Sequence, residues 1–100
     1  HTVYFWLNNP DCEEDQKKFE KAMKNFMKKS KHENTHYVGK PPKATRDVVD
    51  DSFTYALIVS FNSAKHQEKY QNEKANLEFI EQAGSLWNKV IVYDSQGIKL

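Results

Sequence analysis

Four short segments of the chain combine apolar, β-branched and aromatic residues over the length of a β-strand. They cover residues 1–7, 34–39, 52–61 and 87–94. Turn-forming residues end the first segment at Asn8-Asn9-Pro10, and a pair of prolines follows the second. The charged connection over residues 40–51 is long for a loop between neighbouring strands, and such loops are often functional or mobile.

Apolar residues at helical spacing indicate a first helix over residues 12–30. Acidic residues lie in its first turn and lysines gather at its end, which suits the helix dipole. Asp11 is a suitable N-cap, and Glu14 three residues later completes a capping-box pattern. The apolar stripe consists of Phe19, Ala22, Met23, Phe26 and Met27.

A second helical region falls into two pieces. Ser63 is expected to cap a short helix that ends near Tyr70, and a further helix is expected from about Asn76 to Leu86. Asn76 then has a ready structural explanation as the N-cap of that further helix. The fourth strand segment follows directly.

The order β-α-β-β-α-β predicts an α+β fold, a ferredoxin-like split β-α-β sandwich with both helical regions on one face of the sheet. The 100 residues are the length of one domain, so we expect a single domain over residues 1–100.

Both faces of the predicted sheet carry apolar side chains, although two helices can cover only one of them. A large uncovered apolar face usually marks an interface. We therefore expect a homodimer that closes into a barrel through this face, the alternative being a monomer whose long loop covers it. The expected interface residues are Tyr4, Trp6, Ile58, Ile91 and Tyr93.

Composition narrows the function classes. The formal net charge of +1 argues against a dedicated nucleic-acid-binding protein, and no apolar run is long enough to span a membrane. Cys12 is the only cysteine, which excludes an internal disulfide and fits a reducing, cytoplasmic location. No phosphate-binding glycine loop or metal-binding histidine spacing is present, so we expect no cofactor and no metal. The loop acids near Asp50 are interpreted as solvated.

Several segments together resemble the stress-responsive A/B barrel family. They are the opening residues 1–5, the corner Phe61-Asn62-Ser63, Tyr70, and the closing residues 87–94. The resemblance covers almost the whole chain. It implies a dimeric α+β barrel of ferredoxin-like subunits, a family in which most members have no assigned activity.

One branch of that family, plant polyketide cyclases, suggests catalytic positions by resemblance. His1 matches the family's first-strand histidine and Tyr70 matches its tyrosine after the third strand. The family's second histidine falls on Asn76, and asparagine is neither a general acid nor a general base near neutral pH. In this chain, Glu73 and Asn76 stand where the family pattern Y-x-x-H-P-x-H has its two histidines.

The leading hypothesis is a protein that binds a small apolar or aromatic molecule in a cleft between sheet and helices. The alternatives are a cofactor-independent cyclase, isomerase or monooxygenase that uses His1 and Tyr70, and a structural assembly without a ligand. A binding protein needs a cavity of roughly 300 Å³ or more. The expected ligand-binding residues are Asn76, Phe5, Leu57, Phe26 and Phe79.

Overall fold

The computed structural model describes residues 1–100 and contains four strands in one antiparallel sheet. The strands are β1 (Thr2–Leu7), β2 (Thr35–Gly39), β3 (Tyr55–Ser60) and β4 (Trp87–Tyr93). Their order across the sheet is β2-β3-β1-β4, so β1 pairs with both β3 and β4 in the centre. The predicted strand order along the chain is confirmed.

Three helices connect the strands: α1 (Glu13–Lys29), α2 (Ala64–Asn72) and α3 (Lys74–Ala83), with a 3₁₀ turn at Gly84–Leu86. Helices α1 and α3 pack against each other on one face of the sheet. This helix-covered face holds the core, because alternate residues of the central strands point into it. The core includes Val3, Phe5 and Leu7 from β1, and Phe19, Met23 and Phe26 from α1.

The predicted start of α1 is wrong in one respect. Cys12, rather than Asp11, is the N-cap, and no side chain caps the helix. The backbone N–H of Cys12 donates to the Asn9 carbonyl at 3.1 Å, so the turn begun at Asn8 continues to Cys12. The Cys12 carbonyl then accepts the first helical hydrogen bond, from the backbone N–H of Gln16 at 3.0 Å.

The predicted cap at Ser63 is confirmed, whereas the one at Asn76 is wrong. The Ser63 hydroxyl accepts from the backbone N–H of His66 at 3.3 Å. Helix α3 begins earlier than expected, with Glu73 as N-cap. The same Glu73 ends α2, because its backbone N–H donates to the Tyr70 carbonyl at 3.3 Å. Asn76 therefore lies inside the first turn of α3.

The loop of residues 40–54 folds back over part of the sheet face opposite the helices, which we call the outer face. The ring of Phe53 packs against Tyr4 at 4.9 Å and Trp6 at 6.5 Å between centroids. The Trp6 indole N–H donates to the Ser52 hydroxyl at 3.2 Å. The loop thus covers the part of the outer face near the end of β1.

Candidate ligand-binding site

A cleft of about 230 Å³ opens between the helix-covered face of the sheet and the helices. All seven residues expected at the catalytic and ligand-binding positions line it. Apolar side chains make up most of its remaining wall, with Ile80, half exposed, among them. This volume is smaller than the roughly 300 Å³ that we expect of a binding protein, so the cleft as it stands admits only a molecule smaller than a drug-sized ligand. The seven residues are His1, Phe5, Phe26, Leu57, Tyr70, Asn76 and Phe79.

Tyr70 is held in the wall of the cleft by aromatic contacts. Its ring stacks on Phe26 at 5.3 Å and meets Phe61 edge to face at 5.0 Å. The side chain is 1% exposed, and its buried hydroxyl has no hydrogen-bond partner. Burial, followed by the negative charges of Glu33 and Glu73, raises the pKa of the Tyr70 phenol. Tyr70 is therefore a neutral phenol with an unused donor at neutral pH.

His1 extends the pairing of β1 with β3 beyond Thr2. The backbone N–H of Val59 donates to the His1 carbonyl at 2.9 Å, and the backbone nitrogen of His1 donates to the Val59 carbonyl at 3.1 Å. This pairing directs the imidazole to the helix-covered face. Its side chain is only 9% exposed, and its ring lies edge to face against Tyr70 at 5.9 Å.

The imidazole of His1 is oriented by Asp94. The distance from His1 Nδ1 to Asp94 Oδ1 is 2.6 Å. Because an ionised carboxylate only accepts, Nδ1 carries the proton and Nε2 is the nitrogen left to accept one in the neutral ring. The imidazole of His1 and the ring of Tyr70 thus line the cleft side by side, and the Asp94 carboxylate contacts the imidazole from outside the cleft.

Asn76 ties α2 to α3 beneath the cleft. Its side-chain amide donates to the backbone carbonyl of Gln71 at 3.2 Å and to that of Tyr70 at 3.5 Å. Both amide hydrogens are therefore engaged by the backbone, and the side-chain oxygen is the group that remains for a ligand. This position supports the shape of the cleft more than its acid–base chemistry.

Two carboxylates meet one hydroxyl behind Tyr70. The Ser30 hydroxyl lies 2.5 Å from a carboxylate oxygen of Glu73 and also contacts the carboxylate of Glu33. His32 and His36 lie 3.8 and 3.7 Å from Glu73 and Glu33, respectively. This cluster joins the end of α1 to the junction of α2 and α3, and it supplies the negative charge that acts on Tyr70.

The five expected interface residues all lie on the outer face, but their exposure differs. Ile58 and Tyr93 remain 44% and 63% exposed. Tyr4, Trp6 and Ile91 are half-buried, because the loop of residues 40–54 lies beside them. The loop therefore covers part of the face that we expected to form the dimer interface, and it leaves the part around Ile58 exposed.

Asp94 and Glu33 were not singled out from the sequence. For Asp94 the signal is the antiparallel pairing of β1 with β4. Thr2 pairs with Tyr93, so His1, which precedes Thr2, lies next to Asp94, which follows Tyr93. No local pattern marks the meeting of Ser30, Glu33 and Glu73, because it depends on how α1 packs against the α2–α3 junction. No three His, Cys, Asp or Glu side chains are grouped as metal ligands.

A four-stranded antiparallel sheet of this order, with helices on one face, defines a ferredoxin-like α+β fold. The chain belongs to the stress responsive A/B barrel domain family, whose model matches residues 1–96. The predicted family and fold class are both confirmed. No curated protein matches the chain significantly in sequence. No helix has the length and apolar character needed to cross a membrane.

Solved structures share the fold at low sequence identity. The crystal structure of At3g17210 from Arabidopsis thaliana has a TM-score of 0.74 at 17% identity, covering 99% of this chain and 96% of that one. The solution structure of At3g17210, described as hypothetical, gives 0.68 at 16%, covering 99% and 88%. A dimeric ferredoxin-like protein of unknown function from Thermobifida fusca gives 0.70 at 8%, covering 90% and 81%.

Proposed function

We propose that the protein binds a small, mainly apolar molecule that carries one oxygen acceptor, such as a carbonyl, in the cleft. The supporting observation is Tyr70, which lines an apolar cavity and whose buried hydroxyl has no partner. In the ligand-free protein this hydroxyl is closed off from the cavity, so it reaches a ligand oxygen only when the Tyr70 side chain shifts. An unsatisfied buried hydroxyl costs about 1–3 kcal/mol, and a ligand oxygen that accepts from it recovers that cost. A ligand without an acceptor leaves the cost in place.

The size and lining of the cleft restrict the ligand further. A volume of about 230 Å³ suits a single ring with short substituents better than a fused ring system. Phe5, Phe26 and Phe79 offer aromatic surface, and their rings are already packed against one another or against Tyr70. A substituted aromatic or short aliphatic carbonyl compound fits this lining.

A thermal-shift screen of phenols, aromatic ketones and short aliphatic ketones tests the proposal. At roughly a hundred times its dissociation constant, a ligand stabilises the protein by about 2.7 kcal/mol. Each kcal/mol raises the melting temperature of a chain of this size by roughly 4 °C or more. Hits should lose most of their shift in Tyr70→Phe and keep it in Tyr37→Phe, a control at an exposed tyrosine. Hits that bind both variants equally would contradict the proposal.

A second candidate function, cofactor-independent proton transfer, is supported by the His1–Asp94 pair. A histidine whose Nδ1 is fixed by a carboxylate presents Nε2 as a general base. Asp94→Asn keeps a side chain of similar size but removes the acceptor charge, and it should lower turnover by about 100-fold or more at neutral pH. Turnover of a screened ligand that is unchanged in Asp94→Asn would exclude this role.

We also propose that the protein is a cytoplasmic homodimer of a single domain, paired through the open part of the outer face. Ile58, Tyr37 and Tyr93 form an exposed apolar surface there, and a structural neighbour is described as dimeric. Ile58→Asp should give a monomer in analytical ultracentrifugation at tens of micromolar. Leu77→Asp, at an exposed site on α3, is the matched control and should leave the dimer intact. A wild-type monomer would overturn this proposal without affecting the cleft.

A further inference from the structure

Helix α1 carries a row of lysines on the side that faces solvent. They recur every three or four residues, the spacing that places side chains on one face of an α-helix. The opposite side of α1 holds the buried residues that pack on the sheet, among them Phe19 and Phe26. All four lysines are exposed, and we call them the lysine stripe: Lys17, Lys21, Lys24 and Lys28.

The acidic residues of α1 do not neutralise this stripe. None of its four lysines forms an ion pair with a carboxylate. Glu20 lies one helical turn before Lys24, which is the spacing of a helical ion pair. Its carboxylate instead accepts a hydrogen bond from the Tyr55 hydroxyl at 2.5 Å and lies 3.7 Å from the Lys40 ammonium. The stripe therefore presents unpaired positive charge to the solvent.

At the C-terminal end of α1 the stripe continues into a recess between α1 and the start of α3. The recess has a volume of about 520 Å³, and four lysines and two glutamates line it, which gives a formal charge of +2. Both glutamates already have partners, because Glu78 lies 3.4 Å from Lys29 and Glu73 accepts from the Ser30 hydroxyl at 2.5 Å. The four lysines are Lys28, Lys29, Lys31 and Lys74.

This basic surface stays accessible in the homodimer proposed above. Helix α1 packs on the helix-covered face of the sheet, whereas the proposed dimer interface lies on the outer face. No lysine of the stripe or of the recess lines the cleft. The surface is therefore separate from both the cleft and the dimer interface, and a dimer carries it twice.

We infer that the lysine stripe and the adjoining recess form a docking surface for an acidic polypeptide segment of a partner protein. The four lysines of the stripe extend over roughly 16 Å of the helix, at about 1.5 Å per residue. An extended chain places carboxylates on one side at intervals of about 7 Å, so a segment of roughly six acidic residues spans the stripe. Runs of acidic residues commonly form disordered tails that bind other proteins.

The chemistry of this surface favours a polypeptide over a nucleic acid or a membrane. Sites for single-stranded nucleic acid combine positive charge with aromatic side chains on which bases stack, and neither the stripe nor the recess contains an aromatic residue. Helices that lie on membranes insert exposed apolar side chains between the lipids. The large apolar side chains of α1 pack against the core instead.

The test uses a fluorescein-labelled peptide of about ten glutamates as the probe and measures its binding to the wild-type protein by fluorescence anisotropy. A labelled glycine–serine peptide of the same length is the neutral control and should not bind. Binding of the acidic peptide should weaken about tenfold or more when the salt concentration rises from about 20 mM to about 150 mM, because exposed charges are screened. No binding at low salt, or an affinity that does not change with salt, would overturn the inference.

Lysine variants locate the surface. Lys24→Gln/Lys28→Gln removes two charges of the stripe and keeps good helix formers, and it should weaken binding of the acidic peptide about fivefold. The matched control is Lys65→Gln/Lys69→Gln, a pair of exposed, unpaired lysines at the same spacing on α2, and it should change the affinity less than about twofold. Circular dichroism checks that both variants keep their helices. Equal weakening in the two variants would contradict the location.

Two further probes test the class of partner. They are a labelled single-stranded DNA of about ten nucleotides, which matches the charge of the peptide, and vesicles that contain about 30% phosphatidylserine. The acidic peptide should bind more tightly than either probe at the same salt concentration. Tighter binding of the DNA or of the vesicles would overturn the assignment of the surface to an acidic polypeptide.

Discussion

Two buried tyrosines of the core show how differently the same side chain is used. The Tyr55 hydroxyl donates to Glu20 at 2.5 Å, whereas the Tyr70 hydroxyl has no partner. Both rings are stacked in the core, Tyr55 on Phe19 and Tyr70 on Phe26. Sequence alone predicted that Tyr70 lies near the cleft, but it did not show which tyrosine lacks a partner. That difference depends on the packing of α1, which places the Glu20 carboxylate next to the Tyr55 hydroxyl.

Tyr55→Phe is expected to lower the free energy of unfolding by about 1 kcal/mol, because it leaves the packing intact and removes one hydrogen bond to a carboxylate. Urea denaturation followed by circular dichroism measures the change. Tyr37→Phe, at an exposed position, is the control and should change it very little. A stability equal to that of the wild type would mean that the bond to Glu20 contributes nothing net.

High pH should destabilise the protein through these same two residues. Burial raises the pKa of Tyr55 and of Tyr70, with Glu20 adding to the first and Glu33 and Glu73 to the second. A tyrosine whose pKa is higher in the folded than in the unfolded protein stabilises the folded state. This stabilisation is fully present below the unfolded pKa of about 10 and is lost as the pH rises above that value. Denaturation from pH 9 to pH 12 should show this decline, and the double variant Tyr55→Phe/Tyr70→Phe should show less of it. An equally steep decline in the double variant would assign the effect to other groups.

At the scale of the elements, periodicity located the helices and strands well, and the caps less well. Alternation along β1 and β3 identified which residues face the helices, since a strand side chain has only two directions. The start of α1 and the first residue of α3 were misplaced. At α1 the preceding turn extends to Cys12, and at α3 the junction with α2 forms at Glu73. Both depend on backbone hydrogen bonds, which a pattern of side chains does not predict.

Ser63→Ala and Asp11→Ala provide a matched test of the caps. Ser63→Ala should cost about 1 kcal/mol, because the hydroxyl caps α2 through the backbone N–H of His66. Asp11→Ala should cost well under half of that, since Asp11 lies outside the cap of α1. Urea denaturation of both variants gives the two values. A larger loss in Asp11→Ala than in Ser63→Ala would contradict this description of both helix starts.

At the scale of the whole molecule, the sheet separates two faces of different character. The helix-covered face holds the apolar cleft that Tyr70 lines, and the outer face is aromatic and partly covered by the loop of residues 40–54. The sequence predicted the cleft, because the family resemblance and the strand alternation agree on its residues. It left open whether the loop returns to the outer face, because loop paths are not encoded in periodicity.

Phe53 is expected to hold this loop against the sheet. Phe53→Ala removes the contacts with Tyr4 and Trp6, so the loop should detach more often and trypsin should cleave after Lys43 and Arg46 several-fold faster. Val48→Ala, at a position that is 82% exposed in the same loop, is the control. Equal cleavage rates in the two variants would show that Phe53 does not anchor the loop.

We propose that the Tyr70 hydroxyl donates a hydrogen bond to a ligand and does not stabilise the ligand-free folded protein. The most direct test is the urea midpoint of ligand-free Tyr70→Phe against the wild type. Because the substitution removes a buried unpaired hydroxyl and keeps the stacked ring, we predict that the variant is more stable, by about 1 kcal/mol. A variant less stable by a similar amount would show that the hydroxyl has a structural partner, and the cleft would lose its main evidence as a binding site.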